Sequence, residues 1–409
     1  MNTPSVLLAI VLCFILIASP RRFFLFPFIM AACFVPMNQQ IEILSFNFGV
    51  LRLLIITGIL KLTIFEKKRV IQWNLFDKLI LIWAVVGSMV YIAQQANLSA
   101  VINRSGVMFD TLGMYWLFRH VLHGWEDVSR AVKFFALFAI ITAPLIALEK
   151  FHESSFFSVF GPTLGQFHRG RYRAAGPFSH YITMGCFWAS LLPLFYAQFK
   201  AGTNKLLFFT AIVFSLSNIY YSASTTPIMT VLAIIIFWNF YNYRMHGKII
   251  FTVICLVLFL LHLIMKQPVW HLMARANIFG GSTGYHRYFL FDNFVNHVSE
   301  WFLLGTKSTS HWGWSQFDIT NQFVLEGVRG GIITLLIFII IIYFAVKIPC
   351  NLSLGPVTHE VKWVSWGICV TMLGQFVTFW GVAYFGQINM LLYFFFALVG
   401  FTFNESNST

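Results

Sequence analysis

Long apolar runs, each interrupted by a few polar or charged residues, set the pattern of this chain. They lie near 4–18, 22–37, 47–65, 76–95, 107–122, 130–149, 178–198, 206–222, 225–243, 248–266, 320–346, 363–381 and 384–402. Several reach the roughly 20 residues that a helix needs to cross a bilayer. The runs are continuous rather than alternating, which excludes a membrane barrel. Backbone groups in lipid must be bonded internally, so each run is expected to be a helix. The expected fold is an all-α polytopic membrane protein with 12–13 transmembrane helices, forming one integral membrane domain over residues 1–409. The first two runs are short enough to form a re-entrant hairpin, which leaves the count at 12 or 13.

Two longer polar stretches break the rhythm. One is the Arg-rich loop 150–177, containing His168-Arg-Gly-Arg-Tyr-Arg173. The other is the loop 267–319. Within it, Tyr285 to Leu304 carries Tyr288, Phe289, Phe291, Val295, Val298, Trp301 and Phe302 at mixed helical spacing. That pattern predicts an amphipathic helix lying in the membrane interface, ended by Gly305.

Composition agrees: 58% of the 409 residues are hydrophobic and only 10% charged, against about 25% charged in soluble domains. Met1-Asn-Thr-Pro has no basic segment, so the first run reads as a retained span rather than a cleaved signal. The six cysteines are scattered without CxxC spacing and read as small buried hydrophobes. Neither a metal nor a redox centre is expected from them.

The net charge of +13 admits nucleic acid, anionic lipid or an anionic substrate. Its distribution narrows the choice. Arg21-Arg22, Lys67-Lys68-Arg69, Arg119 to Lys133, Lys200 and Lys205, Arg244 and Lys248, and Lys347 and Lys362 all fall in alternate loops. By the positive-inside rule that side is cytoplasmic. Both long loops are then external, where nucleic acid is not a partner. Two readings of the external arginines stand. They form a solvated basic loop at the headgroups, or they bind an anion such as a diphosphate or acidic sugar, whose oxygens match the guanidinium fork.

Ionisable residues at membrane depth are costly and need a partner or a role. Arg52 and Asp110 are expected to pair across helices. Glu326 and Arg329 share a helix face. Either they neutralise each other, or they line a cavity opening outward. Gly327, Gly330 and Gly331 on the same turns permit close helix packing or close ligand approach.

Arg173-Ala-Ala-Gly176-Pro-Phe178, opening a span after an external loop, resembles the Arg-x-x-Gly-x-Phe segment of the O-antigen ligase/polymerase family of bacterial envelope glycosyltransferases. In the second loop Arg287 precedes a helix, and Glu300 to Lys307 is similar to the family's "hPllGtG" segment. The ligase pattern then has His-[Asn/Ser/Gln], nine residues, Gly, two residues and Gly/Thr/Tyr. Asn321, Gly331 and Thr334 fit it in register. The likeness covers about 165–345. Three features depart from it. Thr320 stands where the ligase has histidine, Tyr181 where the family usually has proline, and the paired Arg-x10-Gly loops of some polymerases are missing. The missing histidine argues against a lipid A-core ligase and toward a polymerase-type member.

The resemblance implies a GT-C-like enzyme in the bacterial inner membrane, with its active site on the periplasmic side. Its substrate would be an undecaprenyl-diphosphate-linked oligosaccharide, its cofactor none and its metal none. A flippase and a chain-length regulator would be its protein partners. Positive charge at the departing diphosphate favours the transition state. Arg173 and Arg287 are the first candidates to bind it, and Arg171, Arg169 and Arg275 the second. Gly176, Asn321 and Gly331 would support the motif. The acceptor hydroxyl calls for a general base. Asp318, two residues before Thr320, is the first candidate, with Glu326 and His311 after it. A lone Asp before a helix also serves as an N-cap, and His180 reads better as a hydrogen-bonded structural histidine than as a base. Two alternatives remain: a ligase transferring finished glycan, and a transporter or flippase for lipid-linked oligosaccharide. Transporters favour broken spans and midplane sites. No internal repeat is evident here, which favours an enzyme.

Overall fold

The computed structural model describes residues 1–43, 46–65, 71–163, 165–168, 170–275 and 283–408. The described residues are mostly helical, with two short hairpins. In order it forms α1 (Thr3–Ala18), α2 (Leu25–Phe34), β1 (Gln40–Ile43), β2 (Phe46–Gly49), α3 (Val50–Leu60), α4 (Leu75–Gln95), α5 (Leu98–Val121) and α6 (Trp125–His152). Then come β3 (Gln166–His168), β4 (Arg171–Arg173), α7 (Tyr181–Ala201), α8 (Lys205–Tyr221), α9 (Thr225–Asn239) and α10 (Gly247–Ile264). The last part holds α11 (Leu272–Arg275), α12 (Thr283–Asn296), α13 (Val298–Trp301), α14 (Gln322–Leu354), α15 (His359–Phe379) and α16 (Gln387–Ser408).

A helix lies at each expected span. Among the described residues, six helical stretches are long and apolar enough to cross a membrane: Leu75–Gln95, Trp125–His152, Tyr181–Ala201, Thr225–Ile264, Gln322–Leu354 and Gln387–Asn407. Thr3–Ala18 and Lys205–Tyr221 are shorter apolar helices. The 22–37 run begins as a 3-10 turn, Arg21–Phe23, before α2. The start of the 47–65 run is strand instead: β2 pairs antiparallel with β1, Ile41 opposite Phe48.

Helix starts follow from side-chain caps. Asn74 and Asp77 form a reciprocal capping box at α4. Asn97 accepts from the Ala100 N–H at 2.7 Å, which starts α5 nine residues before the expected boundary at 107. Asn321 accepts from the Phe323 and Val324 N–H groups at 2.9 and 3.2 Å and starts α14.

Hydrogen bonds between helix ends mark two poles. At the upper pole Gln94 at the end of α4 donates to the Leu304 carbonyl (3.0 Å). There too Gln387, starting α16, donates to the carbonyls of Val35 (3.2 Å) and Pro177 (2.6 Å). At the lower pole Asn74 donates to the Gly400 carbonyl (2.8 Å). The basic residues at the ends of α1, α5, α7, α9 and α14 fall at the lower pole, as the charge pattern predicts; 67–69 lie outside the described residues.

Helices α7 and α16 are central: Phe187, Trp188 and Phe195 on α7 and Ile388, Leu391 and Val399 on α16 are fully buried. Small residues let neighbours approach. A Cβ on Gly185 would collide with Pro227, and one on Gly367 with Ala197. At the other extreme, α10 buries no residue.

Arg52 and Asp110 pair as expected, in bidentate form: Nε to Oδ1 at 2.8 Å and Nη2 to Oδ2 at 2.5 Å. A second charged pair escaped the sequence reading. Asp77 accepts from Arg119 Nε (3.1 Å) and Tyr115 Oη (2.5 Å) within the lower core.

Candidate functional site

The Arg-x-x-Gly-x-Phe segment is built around a buried carboxylate. Glu149, near the end of α6, accepts from the N–H of Ala175 at 2.8 Å and from that of Gly176 at 3.1 Å. Ser155 also donates to it at 2.8 Å. Gly176 has φ +57°, a left-handed turn that favours glycine. Ala174, Ala175 and Phe178 are buried. This turn fixes the end of β4, where Arg173 Nη1 donates to Tyr181 Oη at 2.8 Å and the guanidinium lies 4.8 Å from that ring. Tyr181, in place of the family's proline, is therefore the partner of the motif arginine.

Arg287 sits on the first turns of α12. Its Nη2 donates to Thr226 Oγ1 at 2.6 Å, and Gly381 leaves room for its guanidinium. Burial pulls its pKa down, against a smaller opposing effect of Cys186, although an arginine stays charged. The two arginines abut one corner: the Ala174 N–H donates to the Tyr221 carbonyl at 3.2 Å, and Thr226 lies just beyond on α9. His180 lies near Arg173 and Asp318. Its Nδ1 accepts from the Ile182 N–H at 3.1 Å, capping α7. The proton of the neutral ring is then on Nε2, leaving no lone pair for a base. Burial lowers its pKa; Asp318 nearby opposes this and Arg173 reinforces it.

Apart from Asp318, near His180 and His286, the remaining candidates scatter. Asp318 is exposed, and its carbonyl lies 3.3 Å from His286 Nε2. It does not cap α14, since Asn321 does. His311 pairs with Glu300 at 2.7 Å in the upper loop. Arg171 and Arg275 are exposed. Arg169 lies outside the described residues. Asn321 is buried as a cap, with its Nδ2 unpartnered, and the Thr320 hydroxyl is buried without a partner.

Two expectations for the second loop are corrected. The helix at 285–304 is broken at His297; Leu290, Phe294 and Trp301 are buried, Phe294 and Trp301 against Gly327. Val295, Val298 and Phe302 are exposed. Of the stripe read as apolar, Trp301 is buried on α14, while Leu290 and Phe294 take the place of Val295, Val298 and Phe302. Gly305 does end the helical stretch, at φ +74°.

Gly331 is a break, not a packing glycine. Its φ is +67° and ψ −171°, inside α14. The loop after α13 repairs the lost ladder: the Ile332 N–H donates to the Phe302 carbonyl and the Thr306 N–H to the Val328 carbonyl, both at 2.8 Å. Irregular backbone of this kind needs protein or water around it rather than lipid.

The broken segment faces a cavity of about 690 Å³ between α4, α5, α14 and the start of α16. Glu326, Arg329 and Arg104 line it, so Glu326 and Arg329 do face a cavity. Glu326 Oε2 accepts from Trp83 Nε1 (2.9 Å) and Oε1 from Gln322 Nε2 (2.7 Å). Arg104 stacks 3.8 Å from the Tyr91 ring. Arg173, Arg287 and Asn321 are not in the lining. Gln322 joins the two regions: it lines the cavity and accepts from the Tyr384 N–H at 2.8 Å, while Phe385, next in the chain, lies 6.4 Å from the His180 ring. Among the described residues no three His, Cys, Asp or Glu side chains group as metal ligands.

Comparison with protein-family models, curated proteins and solved structures finds no match to this chain.

Proposed function

We propose that this protein is a glycosyltransferase of the bacterial inner membrane, with a GT-C-like architecture, that polymerises undecaprenyl-diphosphate-linked oligosaccharides at the periplasmic face. The carrying observation is that Arg173 and Arg287, more than a hundred residues apart, abut the same α8–α9 corner at the upper pole, with His180 and Asp318 beside them. In this reading the bond between the anomeric carbon and the diphosphate oxygen breaks and the carbon bonds an acceptor hydroxyl oxygen. The two guanidiniums stabilise the charge that the leaving diphosphate gains. Asp318 accepts the hydroxyl proton; His180, with Nδ1 already engaged, positions Tyr181 and with it Arg173.

The test is to substitute Arg173 and Arg287 singly by Ala and by Lys, then analyse surface polysaccharide and lipid-linked intermediates. The expected result is loss of polymer and accumulation of single lipid-linked repeats outside. Full-length polymer from both Ala variants would overturn the assignment. Accumulated long polymer would identify a ligase.

A transporter of lipid-linked oligosaccharide is the second reading, favoured by the break at Gly331 beside a charged cavity. It predicts repeats trapped at the cytoplasmic face.

A further inference from the structure

The cavity beside α14 holds more positive charge than its own carboxylate can answer. Arg104 comes from α5 and Arg329 from the segment of α14 before the break, and the two lie within electrostatic reach of each other and of Glu326. Both oxygens of Glu326 are taken by the neutral donors Trp83 and Gln322. The ion pairs of the described residues include neither arginine. Arg104 Nε is buried without a partner. Arg329 is solvent-accessible although it lies deep between helices, because it faces the cavity. Two guanidiniums thus share one carboxylate, and the side chain of Arg329 is exposed along the cavity wall.

The rest of the lining is amphipathic in a specific way. Tyr91, Trp83 and Tyr393 present rings, and Asn103, Gln95 and Asn389 present amides. Rings for stacking and amides for hydroxyls suit a sugar. The volume falls in the roughly 300–1,000 Å³ range of small-molecule sites. A purely structural pair would need the arginines to satisfy Glu326, and they do not.

We propose that this cavity binds an anionic saccharide, a sugar bearing a phosphate or a carboxylate, with the oxyanion held between Arg104 and Arg329 and the sugar ring among the amides of the lining. The site is separate from Arg173 and Arg287, so it stands or falls apart from the reaction proposed above.

The experiment uses the full chain in nanodiscs of zwitterionic lipid and measures equilibrium binding of glucose 1-phosphate, glucuronate, inorganic phosphate and glucose. The anionic sugars are expected to bind saturably, and glucose at least about tenfold more weakly, the loss of a charge-assisted contact. Preference for glucose 1-phosphate over glucuronate assigns a phosphate, and the reverse a carboxylate. R104Q and R329Q should each weaken binding at least about tenfold, while K205Q at the exposed lower pole should not. R104K and R329K, which keep the charge, should fold and recover part of the affinity. No saturable binding of either anionic sugar, or unchanged affinity in folded R104Q and R329Q, would overturn the site. Inorganic phosphate binding as tightly as glucose 1-phosphate would overturn its saccharide character.

Discussion

Glu149 decides where Arg173 points. Its carboxylate caps the N–H groups of a turn whose other residues are buried and apolar. Glu149→Ala leaves those donors unsatisfied, at a cost of about 1–3 kcal/mol. The expected outcome is a lowered melting temperature together with the polymer defect of Arg173→Ala, read in the same assay. His180 gives a pH signature. Its folded pKa is below the ordinary value of 6.5, burial being the main cause. As pH falls through 6.5, the unfolded chain takes up this proton first, so stability is lost toward acid. His180→Asn keeps an acceptor for the Ile182 N–H. Its melting temperature should therefore fall less steeply between about pH 7 and pH 5 than that of the wild type.

Among the elements, the break in α14 is the most exacting. A Cβ at Gly331 would meet the Leu303 carbonyl, and its φ and ψ lie in a region essentially reserved for glycine, at a cost of about 1–3 kcal/mol for an L side chain. Gly331→Ala should therefore lower the melting temperature and close or distort the cavity, detectable as lost binding of the anionic sugars. The Arg52–Asp110 pair invites a double-mutant cycle with Arg52→Leu and Asp110→Leu. Either single change strands a half-buried charge, so the double variant should melt above both singles. Sequence legibility follows the same physics. Long apolar runs announced the helices, and opposite charges at matching depth announced Arg52 and Asp110. Arg104 was missed because Asn97 starts α5 nine residues earlier than hydropathy suggests, turning a presumed loop arginine into a cavity wall. The buried stripe of α12 was missed because aromatic residues occupy several faces, and only contact with α14 selects one. Asn321 and Gly331, singled out in the sequence, are the N-cap of α14 and its break.

For the whole molecule, the separation of charge between the poles fixes an expected sidedness. A cysteine introduced at Gly124, where a side chain meets nothing within 4 Å, should react with an impermeant thiol reagent only from the cytoplasmic side. One introduced at the exposed Ser158 should react only from outside. The opposite labelling pattern would invert the proposed topology and remove the periplasmic reading of Arg173. Helix α10 has another meaning at this scale. None of its residues is buried, so among the described residues no packed core of the bundle encloses it. Its place in the bilayer must be won by its own partitioning out of the translocation channel, before the bundle assembles. Exchanging one aliphatic residue for another along it should leave assembly untouched, whereas a single lysine at its centre would be refused at insertion and so alter the threading of everything that follows.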